Sequence, residues 1–178
     1  DYVRYIARKH GLSYRKLAKV LFPLIAKMEL GHLTVKNMES IMNREFRLND
    51  PTMEWDSAFK RLARPYPHMK QLVSRLERRY TLALLTNVSE SRYVIISRLY
   101  IKGMHPVRVF ASCYMKMAKP DPRIYRRVLR AMKVKPEEAV FIDNLLVNVK
   151  GARRVGIRSI QFKSHSQLVK DLKRIKVL

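Results

Sequence analysis

Several things are scarce in these 178 residues, and each scarcity excludes a class of protein. Cysteine occurs once, as Cys113, so there is no disulfide framework and no multi-cysteine zinc site. Only five glycines are present, and none forms the glycine-rich phosphate loops of P-loop or dinucleotide-binding proteins. No apolar run approaches the roughly 18 residues of a membrane span, and no secretory segment opens the chain. The expected setting is therefore reducing and cytoplasmic, with no membrane partner. Acidic residues are scarce too: 14 Asp and Glu stand against 38 Lys and Arg, a formal charge of +24.

What is present is enough for a packed protein. The length suits one to one and a half domains, and a hydrophobic content of 47% excludes bulk disorder. The positive charge is uneven, at +6 over residues 1–64 and +18 over residues 65–178. Such a field favours anionic partners. Arg123, Arg126, Arg127 and Arg130 recur at helical spacing and are expected on the outside of one helix. The plain reading is a solvated basic surface. Aromatics do not interleave with the basic residues as a base-stacking platform requires, which argues against nucleic acid as the main partner.

Residues 1–64 read as all-helical. Ser13 is placed to cap a helix whose apolar face carries Leu17, Val20, Leu21, Leu24 and Ile25, with Pro23 expected to kink or break it. Gly31 marks a stop, and Thr34 a cap for a helix bearing Val35, Met38, Ile41 and Met42. A turn over Asn49–Thr52 precedes a helix through Trp55, Phe59 and Leu62. Pro65-Tyr66-Pro67 marks a boundary. Beyond it, helices at Met69–Leu76, Arg92–Leu99, Pro122 onward, Val149–Val155 and Gln167–Ile175 alternate with short apolar strands at Tyr80–Leu85, Val107–Ala111, Val140–Ile142 and Ile157–Phe162. Asp121 and Pro122 make a strong helix start. The alternation predicts an α/β fold with a parallel sheet covered on both faces.

In such sheets ligands bind beyond the carboxyl ends of the strands. Strand one ends in Thr86-Asn87 and strand three in Asp143-Asn144, and the loop containing Lys119 leads to the helix after strand two. A hydroxyl can bond a phosphoryl oxygen, a carboxylate can hold Mg²⁺, and an ammonium can neutralise developing charge. Together they suit phosphoryl transfer better than redox or acyl chemistry. Each also has a plain structural role: Thr86 as a strand-end threonine, Lys119 as one of 38 basic residues, Asp143 as a helix cap. His10, His32, His68, His105 and His165 are scattered without metal spacing, and Cys113 reads as a small buried thiol.

The strings LALLTNV (82–88), KPDPRIY (119–125), VFIDN (140–144) and NVKGARRVGI (148–157) resemble, in order and spacing, the motifs of the haloacid dehalogenase-like (HAD) hydrolase superfamily. GHLTVKNMESIMNREF (31–46) resembles the helical cap of its phosphatase-like branch. The resemblance implies a small helical cap over residues 1–64 and a Rossmann-like core over residues 65–178. It implies that Thr86 bonds the transferring phosphoryl group, that Asn87 lines the site, and that Lys119 steadies the charge. It implies that Asp143 binds Mg²⁺ as the cofactor, with Asn144 standing where many members carry a second acid, a departure that removes one negative charge beside the cation. Asn148 is placed for a supporting contact.

One family motif is missing: an apolar strand ending in Asp-x-Asp, which carries the nucleophile. Asp1 has Val3 two residues later, and no Asp-x-Asp occurs anywhere in the sequence. By the resemblance, that strand lies between those ending at Thr86 and Asp143. Its loss would leave backbone groups unpaired at roughly 1–3 kcal/mol each. The expectation is a segment of a longer chain with roughly a dozen or more residues upstream, inactive as it stands. The parent is expected to be a Mg²⁺-dependent phosphohydrolase acting on a small phosphorylated molecule. The alternatives are carbon–halogen hydrolysis, and a non-catalytic binding module for a polyanion.

Overall fold

The computed structural model describes residues 2–48, 55–62, 67–98 and 108–178. The expected turn at 49–52, the 65–66 boundary, Leu99, His105, Val107 and Asp1 lie outside the described residues. In chain order the elements are α1 (Tyr2–Lys9), α2 (Tyr14–Glu29), α3 (Val35–Phe46), α4 (Trp55–Leu62), α5 (Pro67–Leu76), β1 (Ala83–Thr86), α6 (Glu90–Ile96), β2 (Arg108–Ala111), α7 (Ser112–Met115), α8 (Pro122–Met132), β3 (Val140–Asp143), α9 (Leu146–Arg153), β4 (Arg158–Gln161) and α10 (His165–Arg174). They fall into two compact units. One gathers Asp1–Pro65, Asn87–Met104 and Ala111–Lys116; the other gathers Tyr66–Thr86, His105–Phe110 and Met117–Leu178.

The first unit is helical because its apolar residues recur at helical spacing. Ile6, Leu17, Leu21, Met28, Met38, Met42 and Trp55 share one buried core. The Thr34 side chain accepts the Asn37 N–H and caps α3 as its sequence predicts. Gly31, at φ +65°, follows the end of α2; an added Cβ would meet the Cys113 carbonyl oxygen at 2.4 Å, so only glycine fits. Two expectations change. Ser13 occupies the N-cap of α2 but its side chain makes no capping bond. Pro23 does not break the helix, which runs unbroken through it. A helix-interior proline costs about 3 kcal/mol. Leu17, Leu21, Leu24 and Met28 on the same helix are buried, at about 1.5–3 kcal/mol each, so tertiary burial outweighs the proline.

The second unit holds the strands. β3 and β4 pair in parallel, with Val140 beside Arg158 and Asp143 beside Gln161. Leu72, Ile160, Leu168 and Leu172 form its core, with Ile142 and Phe162 packed against them. Ser164 and Gln167 close a reciprocal cap at the start of α10, two residues before the expected helix start. β1 begins at Ala83 rather than Tyr80. Among the described residues the strands form two pairs, β1–β2 and β3–β4, rather than one sheet. The sequence shows four strands but not which of them bond, because strand order depends on contacts distant along the chain. The short helix α7, directly after β2, has no sequence signal. Among the described residues no helix is long and apolar enough to cross a membrane.

Candidate active site

Three apolar residues, Val140, Phe141 and Ile142, lead β3 to a carboxylate, Asp143. The Phe162 N–H donates to the Asp143 carbonyl at 2.9 Å, which carries the ladder to the strand's last residue. The Asp143 side chain is 6% exposed. A carboxylate this far from water needs compensating donors, and each oxygen has them. Oδ1 accepts the Leu145 backbone N–H at 2.8 Å and the Asn148 amide at 3.1 Å. Oδ2 accepts the Lys119 ammonium at 2.7 Å and the same Asn148 amide at 3.1 Å. The helix-cap role foreseen for this aspartate is not what it does: Leu145, not Asp143, is the N-cap of α9, and no side-chain cap bond is made there.

Asn148 sits where it does because α9 starts directly beyond the strand and one helical turn brings its amide back to the carboxylate. Its own carbonyl accepts the Tyr125 hydroxyl at 2.8 Å. The Tyr125 ring stands edge-on to Phe141, with centroids 5.4 Å apart. Burial, reinforced by the Asp143 charge, pushes the Tyr125 phenol well above its ordinary range, so it stays protonated and donates. Gly151, one turn further along α9, abuts the Lys119 loop. An added Cβ there would lie 2.7 Å from the Pro120 carbonyl oxygen.

Lys119 is presented by a turn in which the Asp121 N–H donates to the Ala118 carbonyl, with the Lys119–Pro120 peptide cis. Asp121 then caps α8, accepting the Arg123 N–H at 2.9 Å. The Arg123 guanidinium, hydrogen-bonded to that carboxylate, holds it below the usual carboxylate range. The Lys119 side chain is 9% exposed. Besides Asp143, its ammonium donates to the Leu85 carbonyl of β1 at 2.8 Å, and it lies 5.6 Å from the Phe141 ring centroid. One lysine thus bonds to both strand pairs, next to Thr86 on one side and at Asp143 on the other.

The structure therefore brings Lys119, Asp143 and Asn148 together, with Leu85 adjoining. Thr86 is half-buried at the end of β1, and among the described residues its hydroxyl makes no hydrogen bond. Asn87 begins the next segment of the other unit. Past it, the Val88 N–H donates to the Ser112 hydroxyl at 2.9 Å. Asn144 is exposed, and its carbonyl accepts the Gln161 amide at 3.1 Å. Tyr125 and the Leu145 N–H had no sequence signal. The spacing of Asn148 five residues after Asp143 was the one available clue to the network. His68 and His165, scattered in sequence, stand with ring centroids 5.5 Å apart. Cys113 is buried, and burial raises its thiol pKa.

Mg²⁺ takes oxygen ligands and is commonly held by one or two carboxylates together with substrate phosphates and waters. Among the described residues no group of three or more His, Cys, Asp or Glu could enclose a metal. Asp143 offers one carboxylate whose oxygens already accept hydrogen bonds, and Asn144 stands exposed beside it. This donor set fits an ion shared with phosphate and water, not one enclosed by protein.

The sequence profile of haloacid dehalogenase-like hydrolases matches residues 30–156. A bifunctional epoxide hydrolase 2 from Rattus norvegicus is 30% identical over 112 residues, covering 60% of this chain and 20% of that protein. A phosphoserine phosphatase from Thermus thermophilus is 37% identical over 100 residues, covering 53% of this chain and 39% of its own length. The chain thus spans about a fifth of the first relative and well under half of the second. Among solved structures, a HAD family enzyme from Bacteroides thetaiotaomicron, in complex with magnesium and inorganic phosphate, has a similar fold: TM-score 0.78, 20% identity, 94% of this chain and 89% of that one.

Proposed function

Because the chain belongs to the haloacid dehalogenase-like hydrolase family, we propose that it provides most of the active site of a phosphohydrolase acting on a small phosphorylated molecule. The observation that carries this reading is the buried Lys119–Asp143–Asn148 network at the carboxyl end of β3, bonded through Lys119 to the residue before Thr86. Phosphatases among the relatives support it.

In this reading Thr86 bonds a phosphoryl oxygen with its free hydroxyl, and Asn87 lines the same site. Lys119 holds positive charge where negative charge gathers during transfer. Asp143 and Asn144 hold Mg²⁺, which supplies further charge neutralisation when bound. Asn148 fixes the carboxylate through two hydrogen bonds. The nucleophilic aspartate is not among these 178 residues, since no Asp-x-Asp occurs. The reading places it on a preceding strand between β1 and β3, and the separation of the two strand pairs supports that placement. Residues 1–64 are the cap that selects the leaving group, and residues 65–178 belong to the core.

The test is Mg²⁺-dependent hydrolysis of an aryl phosphate, comparing these 178 residues with a longer version encoded with its upstream sequence. Activity confined to the longer version is expected. Turnover that survives removal of Mg²⁺ by chelation points instead to metal-free hydrolysis such as carbon–halogen cleavage. A folded longer protein that is inactive overturns the reading in favour of a binding role.

A further inference from the structure

We propose that the exposed face of α8 is a second binding surface, one that grips the phosphate backbone of a nucleic-acid duplex. α8 divides sharply. Ile124, Tyr125 and Leu129 are buried, whereas Arg123, Arg126, Arg127 and Arg130 are exposed, and Lys133 and Lys135 follow, also exposed. The structure adds what spacing alone does not show, namely which of these charges are neutralised. Arg123 is bound by Asp121 through Nε and Nη2. Arg126, Arg127 and Arg130 take part in no hydrogen bond or ion pair among the described residues. The remaining acids nearby in sequence are Glu137 and Glu138, and Glu138 is bound to the Lys135 N–H.

This arrangement costs the free protein stability. Arg123 and Arg127, and likewise Arg126 and Arg130, lie four residues apart on one helix face, where like charges repel. Positions that break a local rule without gain inside the fold are where a function is expected. Guanidinium groups bind phosphate oxygens in two-pronged fashion and stay charged at every physiological pH. From Arg126 to Arg130 is a rise of four residues, about 6 Å of helix axis, a length compatible with neighbouring phosphates rather than one small anion. The only aromatic residue of α8, Tyr125, is buried and cannot stack on a base. The surface therefore suits a duplex backbone read without regard to sequence, not an unstacked single strand.

The test is fluorescence anisotropy of the 178-residue chain with a labelled random-sequence duplex, titrated at several salt concentrations. Replacing Arg126, Arg127 and Arg130 together with Gln should flatten the plot of log affinity against log salt by about 1 per arginine, about 3 in all. The control removes the same charge elsewhere, as Lys163→Gln, Lys170→Gln and Lys173→Gln, all exposed residues. It should leave most of the slope intact. An equal loss from both variants overturns the proposal, because the affinity then belongs to net charge and not to α8. Tighter binding to the labelled single strand, or to phosphatidylserine vesicles, overturns it too. Circular dichroism checks the triple variant; should it unfold, Arg127→Gln alone must lower the slope by about 1, and failure to do so counts equally against the surface.

Discussion

Two strand ends in this molecule are built in opposite ways. At the end of β3, Asp143 is enclosed: an ammonium, a backbone N–H and a carboxamide share its two oxygens, and its side chain is 6% exposed. At the end of β1, Thr86 is half-buried, with a hydroxyl that bonds to no described residue. The contrast follows from charge. A buried carboxylate costs several kcal/mol unless it is paired, so the fold must supply its partners before any ligand arrives. A neutral hydroxyl has its donor and its acceptor lone pairs available, and the fold can leave it to a ligand at small cost. One end therefore carries part of the fold's stability, and the other end can be altered with little effect on folding.

Substitutions can break or sharpen that contrast. The largest effect is expected for Lys119→Met, which leaves Asp143 buried without its ammonium. Loss of one partner of a buried pair costs about 3–5 kcal/mol, read as a lower urea midpoint. An unchanged midpoint would mean that the pair is not buried in solution. Asn148→Leu removes the bonds to both Asp143 oxygens and should cost about 1–3 kcal/mol in the same assay. Tyr125→Phe deletes only the hydroxyl bonded to the Asn148 carbonyl, and about 0.5–1.5 kcal/mol is expected. Thr86→Val should move stability by less than about 0.5 kcal/mol. In an active, longer version of the protein it should nonetheless lower aryl phosphate turnover by about 10²–10³-fold, the usual effect of removing one stabilising donor. A large stability loss at Thr86 would erase the distinction between the two ends.

The legible parts of this molecule are those in which local chemistry decides. Thr34 and Asp121 announce helix starts, and their side chains accept the expected N–H groups. The apolar run before Asp143 reads as a strand and is one. Local rules mislead where distant packing overrides them. Pro23 signals a kink or a break, and core burial prevents the break; Ser13 signals a cap bond that is not made, which nothing in the structure explains. The candidate site follows the same division. Thr86, Lys119 and Asp143 can be singled out by their positions at strand ends and in a connecting loop. Tyr125 cannot, because its role depends on α8 lying against Asn148, 23 residues away along the chain.

By itself, the sequence determined most of the helix and strand segments, α7 excepted, the excess of positive charge, the family to which the chain belongs, and which side chains stand at the ends of β1 and β3. These depend on residue type and on neighbours a few positions away. Only the tertiary structure decided that β1–β2 and β3–β4 pair separately among the described residues, that Lys119 bonds to Leu85 and Asp143 at once, and that Arg126, Arg127 and Arg130 make no hydrogen bond or ion pair with any described residue. Those outcomes rest on contacts between residues far apart in the chain. The choice among them is made by burial, and by the cost of leaving a buried charge or backbone group unpaired.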